Sequence, residues 1–142
     1  MRAPIWIEER DTLVLHDRLL VLHDRLLALF GGASGLRDGG LLKSALARPQ
    51  QIFAYAGSVG TIDLAAAYIA GIVRNYPFVD GNKRTGFVIG ALFLELNGFR
   101  FTASEEQAAQ AILSLAAGTL DETGLIAFLR KNVVRNSETN SI

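Results

Sequence analysis

The stretch NYPFVDGNKRT, residues 75–85, contains a helix end, a turn and a helix start. Pro77 disfavours helical backbone at the residue before it, so Tyr76 is predicted to be extended and the preceding helix to stop at Asn75. The Asp80-Gly81 pair is a turn signal, and the apolar run that follows predicts a second helix beginning near Asn82. The stretch therefore predicts two helices joined by a short loop.

The second helix carries two cations in its first turn, Lys83 and Arg84, where the helix dipole favours carboxylates. Free backbone N–H groups at a helix start, together with a Lys charge and an Arg fork, can hold a phosphate. Asp80 has the oxygen chemistry to hold Mg²⁺, which commonly uses only one or two protein carboxylates. The other interpretation is an ordinary surface turn with solvated basic residues. The residues alone leave both open.

The same stretch resembles the signature loop of the Fic/Doc family in its Doc form, H-x-F-x-D-x-N-K-R, and matches every fixed position except the first, where Tyr76 replaces histidine. The resemblance continues through residues 23–27, 31–32, 35–38, 41–50 and 94–102. It implies a mainly α fold, a bundle of about six helices with a minor two-stranded β element. We expect residues 1–142 to form a single Fic/Doc domain.

The resemblance also implies roles for the loop residues. Asp80 corresponds to the Mg²⁺ ligand, Phe78 to a buried anchor, and Tyr76 to the general base. Phosphate and nucleotide binding is implied for four residues: Gly81, Asn82, Lys83 and Arg84.

Doc proteins are toxins of toxin–antitoxin modules that act as ATP-dependent kinases on elongation factor Tu and so inhibit translation. Their Fic relatives, with G-x-G-N-G-R, transfer AMP. Lys83 replaces the last glycine of the Fic motif, so the resemblance favours phosphoryl transfer over adenylylation, with ATP and Mg²⁺ as cofactors and a Phd-type antitoxin as partner.

Tyrosine is a poor substitute for a histidine base. A free imidazole titrates near pH 6.5 and a phenol near 10, so only about one phenol in a thousand is in its base form at neutral pH. General-base assistance contributes roughly 100- to 10,000-fold to rate, and we expect a loss of that size from Tyr76. Two alternatives remain: a non-catalytic module that binds antitoxin or target, and a Fic-type adenylyltransferase. A donor or nucleophile role for the phenol is a further option.

A seven-residue segment is duplicated in tandem: residues 14–20 are identical to residues 21–27. Seven residues make nearly two helical turns, so the insertion rotates the following face by only about 20° but adds roughly 10 Å of length. We expect a lengthened first helix that displaces residues 1–13 outward, where they can contact another subunit. Its two histidines, His16 and His23, lie about 10 Å apart along the helix, too far to share one metal ion.

The composition fits one cytoplasmic domain. The 142 residues are 50% hydrophobic and 20% charged, and the formal net charge is +0. A balanced charge gives no general attraction to nucleic acid or membrane. Without cysteine, disulfides and thiolate metal sites are excluded. The amino terminus lacks the apolar run of a signal peptide, so we expect no export.

Local patterns predict the remaining elements. Residues 5–7 are expected to form a strand that pairs with residues 99–102, where Phe99 and Phe101 share a face. Helices are predicted at about 11–30, 41–47, 61–75, 82–96, 104–117 and 121–134, followed by a flexible tail at 135–142. The family resemblance implies that residues 54–61 form a flap that positions a target segment, and the other interpretation is a plain connection between helices. Arg37 either contacts phosphate or pairs with Asp38.

Overall fold

The computed structural model describes residues 3–13, 36–56 and 58–135. These residues are mainly helical, with a helical segment at residues 9–13. Five further helices and two short strands follow: α1 (Gly39–Ala56), α2 (Thr61–Asn75), α3 (Asn82–Leu96), β1 (Phe99–Phe101), α4 (Glu105–Ala117), α5 (Glu122–Lys131) and β2 (Val133–Arg135). The predicted helical bundle with a minor two-stranded sheet is confirmed.

Helix α2 is the centre of the core, because every residue from Leu64 to Val73 is buried. It packs against α1 on one side and α3 on the other. Glycines allow this close approach: a Cβ at Gly86 would lie 2.8 Å from the Val73 side chain, and one at Gly90 would overlap Ile69. The bounds predicted for α2 and α3 are confirmed, and the two helices form a hairpin around the loop at residues 76–81.

The prediction that α1 ends before Pro49 is wrong, because the helix continues to Ala56. Its buried positions are Leu42, Ala45, Leu46 and Pro49, the i, i+3, i+4, i+7 spacing of an apolar helix face. Burial of this face against α2 outweighs the backbone hydrogen bond that proline removes. The first part of the segment at 54–61 is therefore the last turn of α1. A role in positioning a target stays a prediction.

The strand partner predicted for β1 is also wrong. β1 pairs antiparallel with β2, with Phe99 opposite Arg135 and Phe101 opposite Val133. The last helix thus ends at Lys131 instead of Val134, and Arg135 belongs to the sheet instead of to a tail.

The amino-terminal segment forms no strand at residues 5–7 and is held by hydrogen bonds to side chains. The Asn97 amide accepts from the Ile5 N–H at 2.8 Å and donates to the Ile5 carbonyl at 3.0 Å. The Ile7 N–H donates to the buried Tyr68 hydroxyl at 3.1 Å. These bonds satisfy the backbone groups that a strand would have used.

Two local predictions near the sheet are confirmed. Phe99 and Phe101 are half-buried while Arg100 between them is exposed. The predicted capping box starts α4: Ser104 Oγ accepts from the Gln107 N–H at 3.1 Å, and the Gln107 side chain accepts from the Ser104 N–H at 3.0 Å.

The duplicated heptads at residues 14–27 lie outside the described residues. So do His16, His23 and residues 136–142 of the predicted tail. The lengthened first helix and its contact with another subunit therefore stay predictions. Within the described ranges, no helix has both the length and the apolar character to cross a membrane.

Candidate functional site

The loop between α2 and α3 begins with an unusual backbone conformation at Tyr76. This residue caps α2 with φ 50° and ψ 54°, and its N–H donates to the Ile72 carbonyl at 3.3 Å. The expectation of an extended Tyr76 is therefore wrong, because the residue closes the helix in the left-handed geometry common at helix ends. In the described ranges it is the only non-glycine residue with positive φ. Such a conformation costs a non-glycine residue roughly 1–2 kcal/mol.

Arg37 crosses the end of α2 and contacts the carbonyls that the helix leaves without partners. Its Nε donates to the Tyr76 carbonyl at 2.6 Å and its Nη2 to the Asn75 carbonyl at 2.9 Å. The N–H groups of Arg37 and Asp38 donate to the Pro77 carbonyl at 2.7 and 3.0 Å. The Arg37 guanidinium thus donates its hydrogen bonds to backbone carbonyls at the end of α2. Asp38 has another role, since its carboxylate accepts from the Leu41 N–H at 3.0 Å at the start of α1.

The middle of the loop is held by Phe78 and Asn82. Phe78 is 1% exposed and belongs to the hydrophobic core. The Asn82 amide accepts from the Phe78 N–H at 2.9 Å and donates to the Phe78 carbonyl at 2.8 Å. Its side chain, which the resemblance assigns to phosphate binding, is used to hold the loop.

The start of α3 has the geometry of an anion site. Gly81 caps the helix with φ 81°, and its N–H donates to the Asp80 carboxylate at 2.8 Å. The first turn contains no acidic residue, while Lys83 and Arg84 in it are exposed. The first N–H groups of a helix have no intrahelical acceptor, so they and the two cations can together bind a phosphate group.

The loop thus brings Asp80, Gly81, Lys83 and Arg84 to one helix start and places Tyr76 at its opposite end. In the described ranges no group of three or more His, Asp, Glu or Cys side chains is placed to hold a metal ion. The exposed Asp80 still suits Mg²⁺, because this ion often takes one or two protein carboxylates and completes its shell with phosphate oxygens and water. A triphosphate with Mg²⁺ fits this donor set.

Thr85, one turn into α3, is fully buried, and its hydroxyl has no hydrogen-bond partner among the described residues. Neither this hydroxyl nor the contacts of Arg37 were anticipated from the sequence. Both depend on which elements pack around the loop, and the local pattern carries no signal for them.

A groove of about 550 Å³ lies elsewhere, between α4 and α5, lined by Gln107, Gln110, Leu120 and Phe128 among others. None of the loop residues lines it, and it is open to solvent. It has no cluster of charged groups suited to a phosphate, so the chemistry points to the loop.

The chain is similar to several known proteins. The model of the Fic/DOC family matches residues 10–94, which include the whole loop. Toxin Doc from Mycolicibacterium smegmatis is 41% identical over 75 residues, covering 52% of this chain and 58% of that protein. Protein kinase doc from Escherichia phage P1 is 30% identical over 125 residues, covering 88% of this chain and 93% of that protein. Among solved structures, the BepC protein from Bartonella tribocorum with bound AMPPNP matches with a TM-score of 0.47 and 12% identity, covering 74% of this chain and 54% of that one.

Proposed function

The chain belongs to the Fic/DOC family, and from this premise we propose that it is a Doc-type toxin of a toxin–antitoxin module, a phosphotransferase whose turnover is limited by Tyr76. The observation that carries the proposal is the start of α3. There a left-handed Gly81 cap and a first turn free of acidic residues present Lys83 and Arg84 to solvent.

ATP would bind with its phosphates at this helix start. The backbone N–H groups of the first turn and the Lys83 ammonium would bind phosphate oxygens, and the Arg84 guanidinium can bind two oxygens at once. Asp80 would hold Mg²⁺ beside them. When bound, Mg²⁺ would neutralise phosphate charge and favour departure of ADP.

Residue 76 would take the proton from a target hydroxyl. As the hydroxyl oxygen forms its bond to the γ-phosphorus, the bond from that phosphorus to ADP breaks and the proton moves to the base. A phenol is a weaker proton acceptor than the imidazole of histidine, so Tyr76 would take this proton poorly. We therefore propose that this chain keeps its nucleotide site and has low turnover.

Elongation factor Tu is the target that the family resemblance suggests, and a Phd-type antitoxin is the suggested partner. The two relatives are named Toxin Doc and protein kinase doc, and these names support the proposal of a toxin with kinase activity in general terms. A translation factor is a cytoplasmic target, so we place the protein in the cytoplasm.

The test is transfer of radiolabelled γ-phosphate from ATP to elongation factor Tu by the native chain and by Tyr76→His. We expect the histidine variant to be faster by roughly 100- to 10,000-fold. Tyr76→Phe is the matched control, because it removes only the phenol oxygen. It should be as active as the native chain if the hydroxyl takes no part.

Three outcomes would change the assignment. A Tyr76→His chain that binds ATP but gains no transfer would contradict the base assignment and favour a binding module. Loss of residual native activity in Tyr76→Phe would assign the phenol a role as donor or nucleophile. Label from α-phosphate in the product would indicate adenylylation.

A further inference from the structure

We propose that Arg37 is a positioning residue that fixes the backbone of residue 76 and so directs its side chain toward the reacting hydroxyl. The proposal rests on the function proposed above. It assigns a role to a residue about forty positions earlier in the chain, outside the loop itself.

The contacts cover three consecutive carbonyls at the end of α2. The Arg37 side chain donates to those of Asn75 and Tyr76, and the backbone N–H groups of Arg37 and Asp38 donate to that of Pro77. Leu36 forms an isolated antiparallel bridge with Phe78 just beyond them. Residues 36–38 therefore lie along the loop from Asn75 to Phe78.

The chemistry of these contacts favours arginine. The last carbonyls of a helix carry partial negative charge, which a cation stabilises. A guanidinium presents several N–H donors in a fixed plane and can bind two neighbouring carbonyls at once, whereas an ammonium is a single point charge. Lysine at position 37 would keep the charge but lose the paired geometry.

Residue 76 needs such support because its conformation is unfavourable. Its φ of 50° is left-handed, and the following proline favours an extended backbone at this position. Without the arginine, the Asn75 and Tyr76 carbonyls lose their donors and the backbone can relax toward the extended form. The side chain of residue 76 would then point elsewhere.

The phosphate side of the loop does not depend on Arg37. It is held separately by the Asn82 amide on Phe78 and by the Gly81 cap. Loss of Arg37 should therefore lower kcat and leave the KM for ATP nearly unchanged. A phosphate ligand would behave differently, because its loss would raise the KM for ATP.

The kinetic test uses the full chain carrying Tyr76→His, with Arg37→Ala or Arg37→Lys added. We expect Arg37→Ala to lower kcat by roughly 10- to 100-fold with a change in the KM for ATP of less than about threefold, since small misplacement of a reacting group has effects of this size. The kcat of Arg37→Lys should lie between that of Arg37→Ala and that of the Tyr76→His parent. Arg48→Ala is the matched control: it removes another arginine with two contacts, here to Glu122 at 2.7 and 3.1 Å, and should change kcat by less than about threefold.

Amide hydrogen exchange of Asn75, Tyr76, Phe78 and Val79 in the native background tests the positioning without an activity assay. Arg37→Ala should speed exchange of the Tyr76 amide by roughly tenfold or more, and Arg48→Ala should not. Unchanged exchange in Arg37→Ala overturns the proposal, as does a raised KM for ATP at constant kcat. If Tyr76→His shows no transfer at all, the proposed function fails, and the exchange result alone supports or overturns the positioning.

Discussion

Asn82→Ala should destabilise the loop at residues 76–81 and also weaken nucleotide binding. The substitution removes both hydrogen bonds between the Asn82 amide and the Phe78 backbone, at 2.9 and 2.8 Å. Phe78 is 1% exposed and Asn82 8%, so water cannot easily replace the lost partner. A buried backbone group without a partner costs about 1–3 kcal/mol, and two such groups predict a loss of about 2–6 kcal/mol. That is a large part of the roughly 5–15 kcal/mol that stabilises a typical domain.

The loss is measured by urea unfolding followed by far-UV circular dichroism, as a lower midpoint at unchanged slope. Asn97→Ala is the matched control at the other end of α3. Its side-chain amide also bonds both backbone groups of one residue: it accepts from the Ile5 N–H at 2.8 Å and donates to the Ile5 carbonyl at 3.0 Å. It donates to the Phe93 carbonyl at 2.8 Å as well. Ile5 is 57% exposed, so water can replace most of these bonds and we expect a loss of about 1 kcal/mol with unchanged ATP affinity.

Two results would refute this reasoning about Asn82. A loss of stability below about 1 kcal/mol in Asn82→Ala would show that the two bonds do not hold the loop. A fall in ATP affinity at native stability would show that the side chain binds phosphate directly.

Three further substitutions test the packing of the helical core by urea unfolding. Gly90→Ala places a Cβ against Ile69 and should lower the free energy of unfolding by about 1–3 kcal/mol. Adding Ile69→Val should recover part of this loss, because it shortens the side chain that the Cβ overlaps. Losses that simply add in the double variant would contradict the overlap. Thr85→Val removes a buried hydroxyl that lacks a partner among the described residues and should raise stability by about 1 kcal/mol; a loss would show that the hydroxyl is satisfied. Burial raises the pKa of the Tyr68 phenol, partly offset by the hydrogen bond from Ile7, so the unfolded chain loses this proton first. Stability should then fall as pH rises above about 10, and more steeply than in Tyr68→Phe; equal slopes would contradict it.

The central hairpin could be predicted from sequence because its signals are local. Helix α2 ends beside Pro77, and α3 begins after the Asp80-Gly81 turn, so both bounds follow from short-range rules. The start of α4 was predictable for the same reason, since a capping box involves only Ser104 and Gln107.

Features that depend on tertiary packing were mispredicted or missed. Pro49 continues α1 because its face is buried against α2, which overrides a local helix-breaking signal. The partner of β1 depends on Asn97 and Tyr68, whose bonds engage the backbone of the amino-terminal segment. No pattern within a few residues contains this information.

The features of the candidate site also separate into those set by local sequence and those set by tertiary packing. The candidate anion site at the start of α3 was predicted from the sequence of that segment. The left-handed Tyr76 and the contact from Arg37 follow from how the segment at residues 36–38 meets the end of α2. Asn82 was assigned by resemblance to phosphate, while its side chain bonds to Phe78 in the fold.

Calorimetric titration of the native chain with ATP and Mg²⁺ tests the central claim most directly, because it examines the nucleotide site without requiring turnover. We expect saturable one-to-one binding that Tyr76→His changes by less than about threefold and that Lys83→Ala weakens by roughly tenfold or more, the size expected for loss of a charge-assisted phosphate contact. No binding by the native chain, or binding that Lys83→Ala leaves unchanged, would contradict a phosphate site at the start of α3.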